Sequence, residues 1–165
     1  ERDQIFSGKV RQVGIFNFKE FYRFCYIWLV DEKYFVTEKN YTEKSSPGGK
    51  EVEIEWEGKK KISDYFRFVI RVNWRILGMK DVEVEENGKK TNLNKGDVEI
   101  RVSAYLEKDY QNQWEESTFK KFLRGVYDRY IIRVRIDSFE GRVHMQADEF
   151  LAQVKAFLAV EGKRH

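Results

Sequence analysis

The stretch YFRFVIRVNWRIL, residues 65–77, alternates without a slip: Phe66, Phe68, Ile70, Val72, Trp74 and Ile76 fall on one side, and Arg67, Arg71 and Arg75 on the other. A period of two is that of a β-strand with one covered face. Upstream, EVEIEWE (51–57) has the same period, with Val52, Ile54 and Trp56 opposed to four glutamates. Pairing the two strands around a Gly58–Asp64 loop sets Trp56 opposite Phe66, Ile54 opposite Phe68 and Val52 opposite Ile70. The same register puts Glu55 against Arg67 and Glu51 against Arg71. Cross-strand pairs of opposite charge stabilise by about 0.2–1 kcal/mol each, so the charges support this alignment.

The sheet grows in both directions from this pair. Asn87-Gly88 between Val82-Glu83-Val84 and Thr91-Asn92-Leu93 is a strong two-residue hairpin signal, placing Val84 opposite Thr91 and Val82 opposite Leu93. After Lys95-Gly96-Asp97, a further strand directs Val98, Ile100, Val102, Ala104 and Leu106 inward. On the N-terminal side, Phe35 to Lys44 is polar and reads as an edge strand, followed by a loop at Ser45-Ser46-Pro47-Gly48-Gly49. Gln4 to Ile15 forms the first strand, where Gly8 and Gly14 mark bulges or close backbone approach.

NFKEFYRFCYIWLV (17–30) switches to helical spacing. Asn17 followed by Glu20 has capping-box spacing, and Phe16 with Phe21 suits the hydrophobic staple. Phe18, Phe21, Tyr22, Cys25, Trp28 and Leu29 make the core-facing side of a helix reaching about Lys33. Cys25, the only cysteine, lies mid-face, where a thiol behaves as a small hydrophobe. The opposite side mixes charge with Phe24, Ile27 and Val30, which marks those three as a candidate interaction surface. Toward the C-terminus, Phe119, Phe122, Leu123, Val126, Tyr127, Tyr130 and Ile131 predict a helix over Glu115 to about Arg133. Asp137 and Glu140 then suggest a second capping box. The stripe Phe139, Val143, Ala147, Phe150, Leu151, Val154, Leu158 follows it, ending near Gly162.

The order of elements gives one α+β domain over residues 1–165. An antiparallel β-meander of about six strands packs on one helix in the N-terminal half and one long C-terminal helix. In outline this resembles the helix-grip fold of START-type lipid-binding proteins, although no sequence motif accompanies the likeness. The resemblance implies a cleft between sheet and terminal helix. Trp56, Phe66, Phe68, Trp74, Phe150, Val154 and Phe157 are its candidate lining, suited to a lipid-like or amphiphilic small molecule.

Composition narrows the function classes. The chain has 165 residues, 36% of them charged, with a formal net charge of +3. No apolar run reaches the length of a transmembrane helix, and no leader opens the chain as given, so a cytoplasmic location is the expectation. Two histidines and one cysteine supply no metal-ligand spacing. No phosphate loop, dinucleotide turn or nucleophile elbow is present. The sequence therefore points to no catalytic residue, cofactor or metal, and favours a non-catalytic binding module. An assembly protein forming homo- or hetero-oligomers through Phe24, Ile27 and Val30 is the second reading. The third is a single-stranded nucleic-acid or RNA-associated protein, motivated by Lys59-Lys60-Lys61, Arg67, Arg71, Arg75, Tyr65 and Tyr105. Glu51, Glu53, Glu55 and Glu57 oppose it, because they share the arginine face. A separate basic group, Arg129, Arg133, Arg135 and Arg142, lies near the last helix.

Overall fold

The structure, a computed structural model, describes residues 2–111, 118–126 and 133–164. The strands are β1 (Arg2–Phe16), β2 (Phe35–Ser46), β3 (Gly49–Lys61), β4 (Phe66–Glu86) and β5 (Lys89–Lys108), and the helices are α1 (Phe18–Asp31), α2 (Thr118–Val126) and α3 (Arg133–Arg164). All five strands form one antiparallel sheet in the order β1-β5-β4-β3-β2. The α+β arrangement is as the periodicities predict, with two corrections. Five strands stand where about six were expected, because Leu77, Lys80 and Lys95-Gly96-Asp97 do not interrupt pairing. β4 and β5 run through them as one long ribbon with a bulge between Leu77 and Lys80. The first strand also closes back beside the last, so the sheet is a meander of β2 to β5 with β1 added to its end.

The Asn87-Gly88 hairpin has the expected register, with Val84 opposite Thr91 and Val82 opposite Leu93. Both turn residues have positive φ, 52° and 78°, the requirement of a type I′ turn. The β3–β4 register is different from the expected one. Trp56 faces Val72, Ile54 faces Trp74 and Val52 faces Ile76, while Glu57 faces Arg71 and Glu53 faces Arg75. β3 does not stop at Glu57 but continues to Lys61. Ser63 then closes a tight turn, its hydroxyl accepting from the amides of Tyr65 (3.2 Å) and Phe66 (3.0 Å). The displacement is an even number of residues, so every side chain keeps its face.

Both long helices lie on the inner face of the sheet. Asn17 caps α1 by accepting from the Glu20 amide at 3.1 Å, and Phe16 meets Phe21 edge-on at 6.5 Å. Phe21, Cys25 and Leu29 are buried. α3 begins earlier than its capping signal suggests: Asp137 and Glu140 lie inside it, and it continues past Gly162 to Arg164. Val143, Ala147, Phe150, Leu151, Val154 and Leu158 face the core. Gly8 of β1 lets α3 approach closely, since a Cβ there would stand 2.6 Å from Leu151 Cδ2. Of the helix predicted over 115–133, positions 118–126 are helical as α2, and Tyr127, Tyr130 and Ile131 lie outside the described residues. Among the described residues no helix is long and apolar enough to cross a membrane.

Candidate functional site

The seven candidate lining residues converge in one cluster, with Trp56, Phe66, Phe68, Trp74, Phe150 and Val154 at most 2% exposed. Their rings are in contact: Trp56 with Trp74 at 5.1 Å, Phe66 with Phe139 at 5.1 Å, Phe150 with Trp28 at 5.1 Å. Phe157 is half-buried and stacks on Phe21 at 5.3 Å and on Phe24 at 5.0 Å. Phe24 is thereby drawn toward α3. Ile27 and Val30 stay exposed on the far side of α1, whereas Tyr26, though partly exposed, reaches the Trp56 ring at 6.1 Å.

The outer face of the sheet, which neither long helix covers, is the more distinctive surface. Side chains from four strands meet there in an order set by the pairing. Glu57 of β3 lies opposite Arg71 of β4, and Arg67 of β4 lies opposite Glu107 of β5. Glu107 in turn lies opposite Arg2 of β1. Both carboxylates are buried, each in a residue 7% exposed. Glu107 accepts through Oε2 from Arg2 Nε (3.0 Å) and Nη2 (2.9 Å), and through Oε1 from Arg67. Glu57 has Lys59 Nζ at 3.3 Å, Arg71 Nε at 3.5 Å and Arg2 Nη2 at 3.6 Å. Four cations thus surround two carboxylates, an excess of two positive charges.

Aromatic rings fix the cations in place. Tyr105 of β5 has the Arg2 guanidinium 5.5 Å from its centroid and that of Arg71 at 5.6 Å, arriving from the strands on either side. Arg67 lies over Tyr110 at 4.6 Å, and Tyr110 is anchored by donating to the Ser63 carbonyl at 2.8 Å. Beneath them Val69 is 0% exposed although it points to the outer face, opposite Lys59 and Tyr105. The floor of the cluster is therefore dry, which strengthens electrostatics above it. Burial is the largest influence on each carboxylate and pushes its pKa up. The hydrogen bonds and charges of Lys59, Arg2 and Arg71 outweigh it for Glu57, and those of Arg2 and Arg67 for Glu107. Both carboxyls are held below their usual range.

The rest of this face is balanced. Arg11 pairs with Asp97 at 2.6 Å and Arg101 with Glu99 at 2.7 Å. An open groove of about 280 Å³ lies between Glu53, Glu55, Asn73, Arg75, Glu99 and Arg101.

Of the residues that suggest nucleic acid from sequence, Lys59, Arg67, Arg71 and Tyr105 do meet. Tyr65 does not join them: it is buried in the core and packs edge-on against Phe66 at 4.9 Å. Lys60 turns to the inner side, its ammonium 5.4 Å from the Tyr34 ring, and burial lowers its pKa. Arg142 lies over Phe68 and Phe139 at 5.5 and 5.7 Å, and Arg129 lies outside the described residues. Sequence reasoning missed Arg2 and Glu107, which join the cluster only through the long-range pairing of β1 with β5. It also missed Phe35, the first residue of β2, which is 76% exposed beside Lys59. Among the described residues no group of three or more metal-ligating side chains occurs. No known protein family, curated protein or solved structure matches the chain.

Proposed function

We propose that the protein is a non-catalytic binding module that takes a polyanionic partner on the outer face of its sheet, at the end bearing Arg2, Lys59, Arg67 and Arg71. One observation carries this reading: the four cations outnumber the carboxylates they surround, and tyrosine rings hold three of them in position. Pre-ordered cations over an apolar floor bind phosphate or sulfate groups without the entropy loss of ordering long side chains. An amphiphilic ligand between sheet and helices would have to displace rings already in contact, so that reading ranks below. Self-association through Ile27 and Val30 is a second reading, favoured by their exposure of 41% and 40% among the charged residues on the outer side of α1. Concentration-dependent sedimentation tests it, and a monomer at high concentration counts against it.

The test of the main reading is anisotropy titration of labelled heparin and inorganic polyphosphate at several salt concentrations. If three or four phosphates are contacted, affinity falls about 20- to 50-fold between about 50 and 200 mM salt. The double variant Lys59→Gln/Arg71→Gln, checked for folding by circular dichroism, loses most of the binding. Salt-independent binding, or a double variant that binds like the wild type, overturns the proposal.

A further inference from the structure

Resting on that reading, we infer that the polyanion is a single-stranded nucleic acid, with one base stacked on Phe35 and the backbone crossing the sheet over Lys59 toward Arg71 and Arg67. The sheet register carries the argument. Phe35, Lys59, Val69 and Tyr105 lie in one row across β2, β3, β4 and β5. Val36 packs into the core from the opposite side of β2, so Phe35 faces outward with the cations. Three strand spacings of about 4.8 Å put the Phe35 and Tyr105 positions about 14 Å apart.

The two rings differ in availability. Tyr105 already carries the Arg2 and Arg71 guanidiniums, so it orders phosphate-binding groups and does not offer a platform. Phe35 is a bare ring whose register neighbour is a cation. A base needs an unpaired face to stack there, which a duplex withholds and a single strand offers. Simple polyanions gain nothing from Phe35, since they have no ring to place on it.

The path follows from the distribution of charge. Along the strands, away from this row, the chain would meet a groove where Glu53, Glu55 and Glu99 outnumber Arg75 and Arg101, with Arg101 already paired to Glu99. Those carboxylates repel phosphates. Across the strands it meets Lys59, then Arg71 on one flank and Arg67 on the other. The backbone therefore runs perpendicular to the strands, and the charge-paired half of the face, which offers no such excess of cations around its carboxylates, sets its limit.

The experiment compares oligouridylate and oligothymidylate of about 12 nucleotides with a duplex of equal length and with inorganic polyphosphate, on wild type, Phe35→Ala and Phe35→Trp. The expected result is preference for the single strands over the duplex. Phe35→Ala should weaken single-strand binding about 5- to 100-fold and leave polyphosphate binding unchanged, and Phe35→Trp should restore it. Because Phe35 is exposed, its replacement should not move the melting temperature. Equal binding of duplex and single strand, or a Phe35→Ala variant that binds single strands normally, overturns this inference while the polyanion reading stands. If polyphosphate and heparin also fail to bind, both fall together.

Discussion

Replacing Glu107 by Gln should weaken the fold and strengthen binding, and the opposite signs make it the most informative substitution. In the wild type, one carboxylate oxygen takes two bonds from Arg2 and the other takes one from Arg67. The amide keeps one acceptor and turns an NH₂ toward a guanidinium. A charge-assisted hydrogen bond contributes about 1.5–3 kcal/mol, and breaking a fully buried ion pair costs about 3–5 kcal/mol. Arg2 and Arg67 retain 29% and 21% side-chain exposure, so water solvates them in part. A loss of about 2–3 kcal/mol at neutral pH follows, roughly 4–12 °C in melting temperature for a chain of this size. The Glu107 carboxyl is held below its ordinary range in the folded state, where burial pushes it up and Arg2 and Arg67 outweigh that. Its contribution is therefore complete above the unfolded value of about 4.3 and is lost as pH falls through the folded value. Urea denaturation of both proteins at neutral pH and below about pH 4 should show the stability gap closing on acidification. At low salt, one added unit of positive charge should raise polyanion affinity about two- to five-fold. A gap that does not change with pH, or a variant as stable as the wild type at neutral pH, would refute the reasoning about the cluster.

The remaining predictions concern the core. Cys25 is fully buried and burial raises its thiol pKa well above the usual value, so a small maleimide should label it only as fast as the protein unfolds. Cys25→Ala should cost about 1 kcal/mol through the small void it leaves, and Cys25→Asp several times more, because an unpaired carboxylate would enter an apolar face. The two neighbouring indoles should respond differently to the same change. Trp56 Nε1 donates to Glu38 at 3.2 Å, whereas the buried Trp74 Nε1 has no hydrogen-bond partner among the described residues. Chemical denaturation should find Trp56→Phe about 1 kcal/mol more costly than Trp74→Phe; equal losses would mean that the Trp56 hydrogen bond contributes nothing.

Faces were far more legible in this sequence than registers, and the β3–β4 pair shows why. A period of two assigns each side chain to a face regardless of which residue lies opposite. Glutamates at 51, 53, 55 and 57 and arginines at 67, 71 and 75 recur at even spacings. Several even shifts therefore bring Glu opposite Arg, as both the expected register and the observed pairs Glu57 with Arg71 and Glu53 with Arg75 do. What fixes the register is the end of β3. Gly58-Lys59-Lys60-Lys61 looks like a polar loop but remains strand. Tyr34 packs over Gly58, where a Cβ would come within 3.4 Å of Tyr34 Cβ, and that contact depends on tertiary structure. The same logic applies to the candidate site. Lys59, Arg67, Arg71 and Tyr105 announce themselves by local pattern. Arg2 and Glu107 lie opposite one another across 105 positions of chain, and no local pattern can join them.

The composition of the cluster bears on why it exists. Ion pairs at a sheet surface are a weak source of stability, and apolar replacements of buried pairs are often neutral or stabilising. Val69, fully buried at the centre of the same face, shows that an apolar residue is accommodated there. Glu57 and Glu107 lower the mutual repulsion of four cations that would otherwise drive Arg2, Lys59, Arg67 and Arg71 apart. They remove half of the positive charge and leave the other half held in fixed geometry. Tyr105 and Tyr110 act in the same direction, restraining guanidiniums that would otherwise lose rotamer freedom on meeting a ligand. Each of these features is better matched to presenting charge than to stabilising the sheet. At the other end of this face the charges are matched one to one, Arg11 with Asp97 and Arg101 with Glu99, without the local excess of cations found around Glu57 and Glu107.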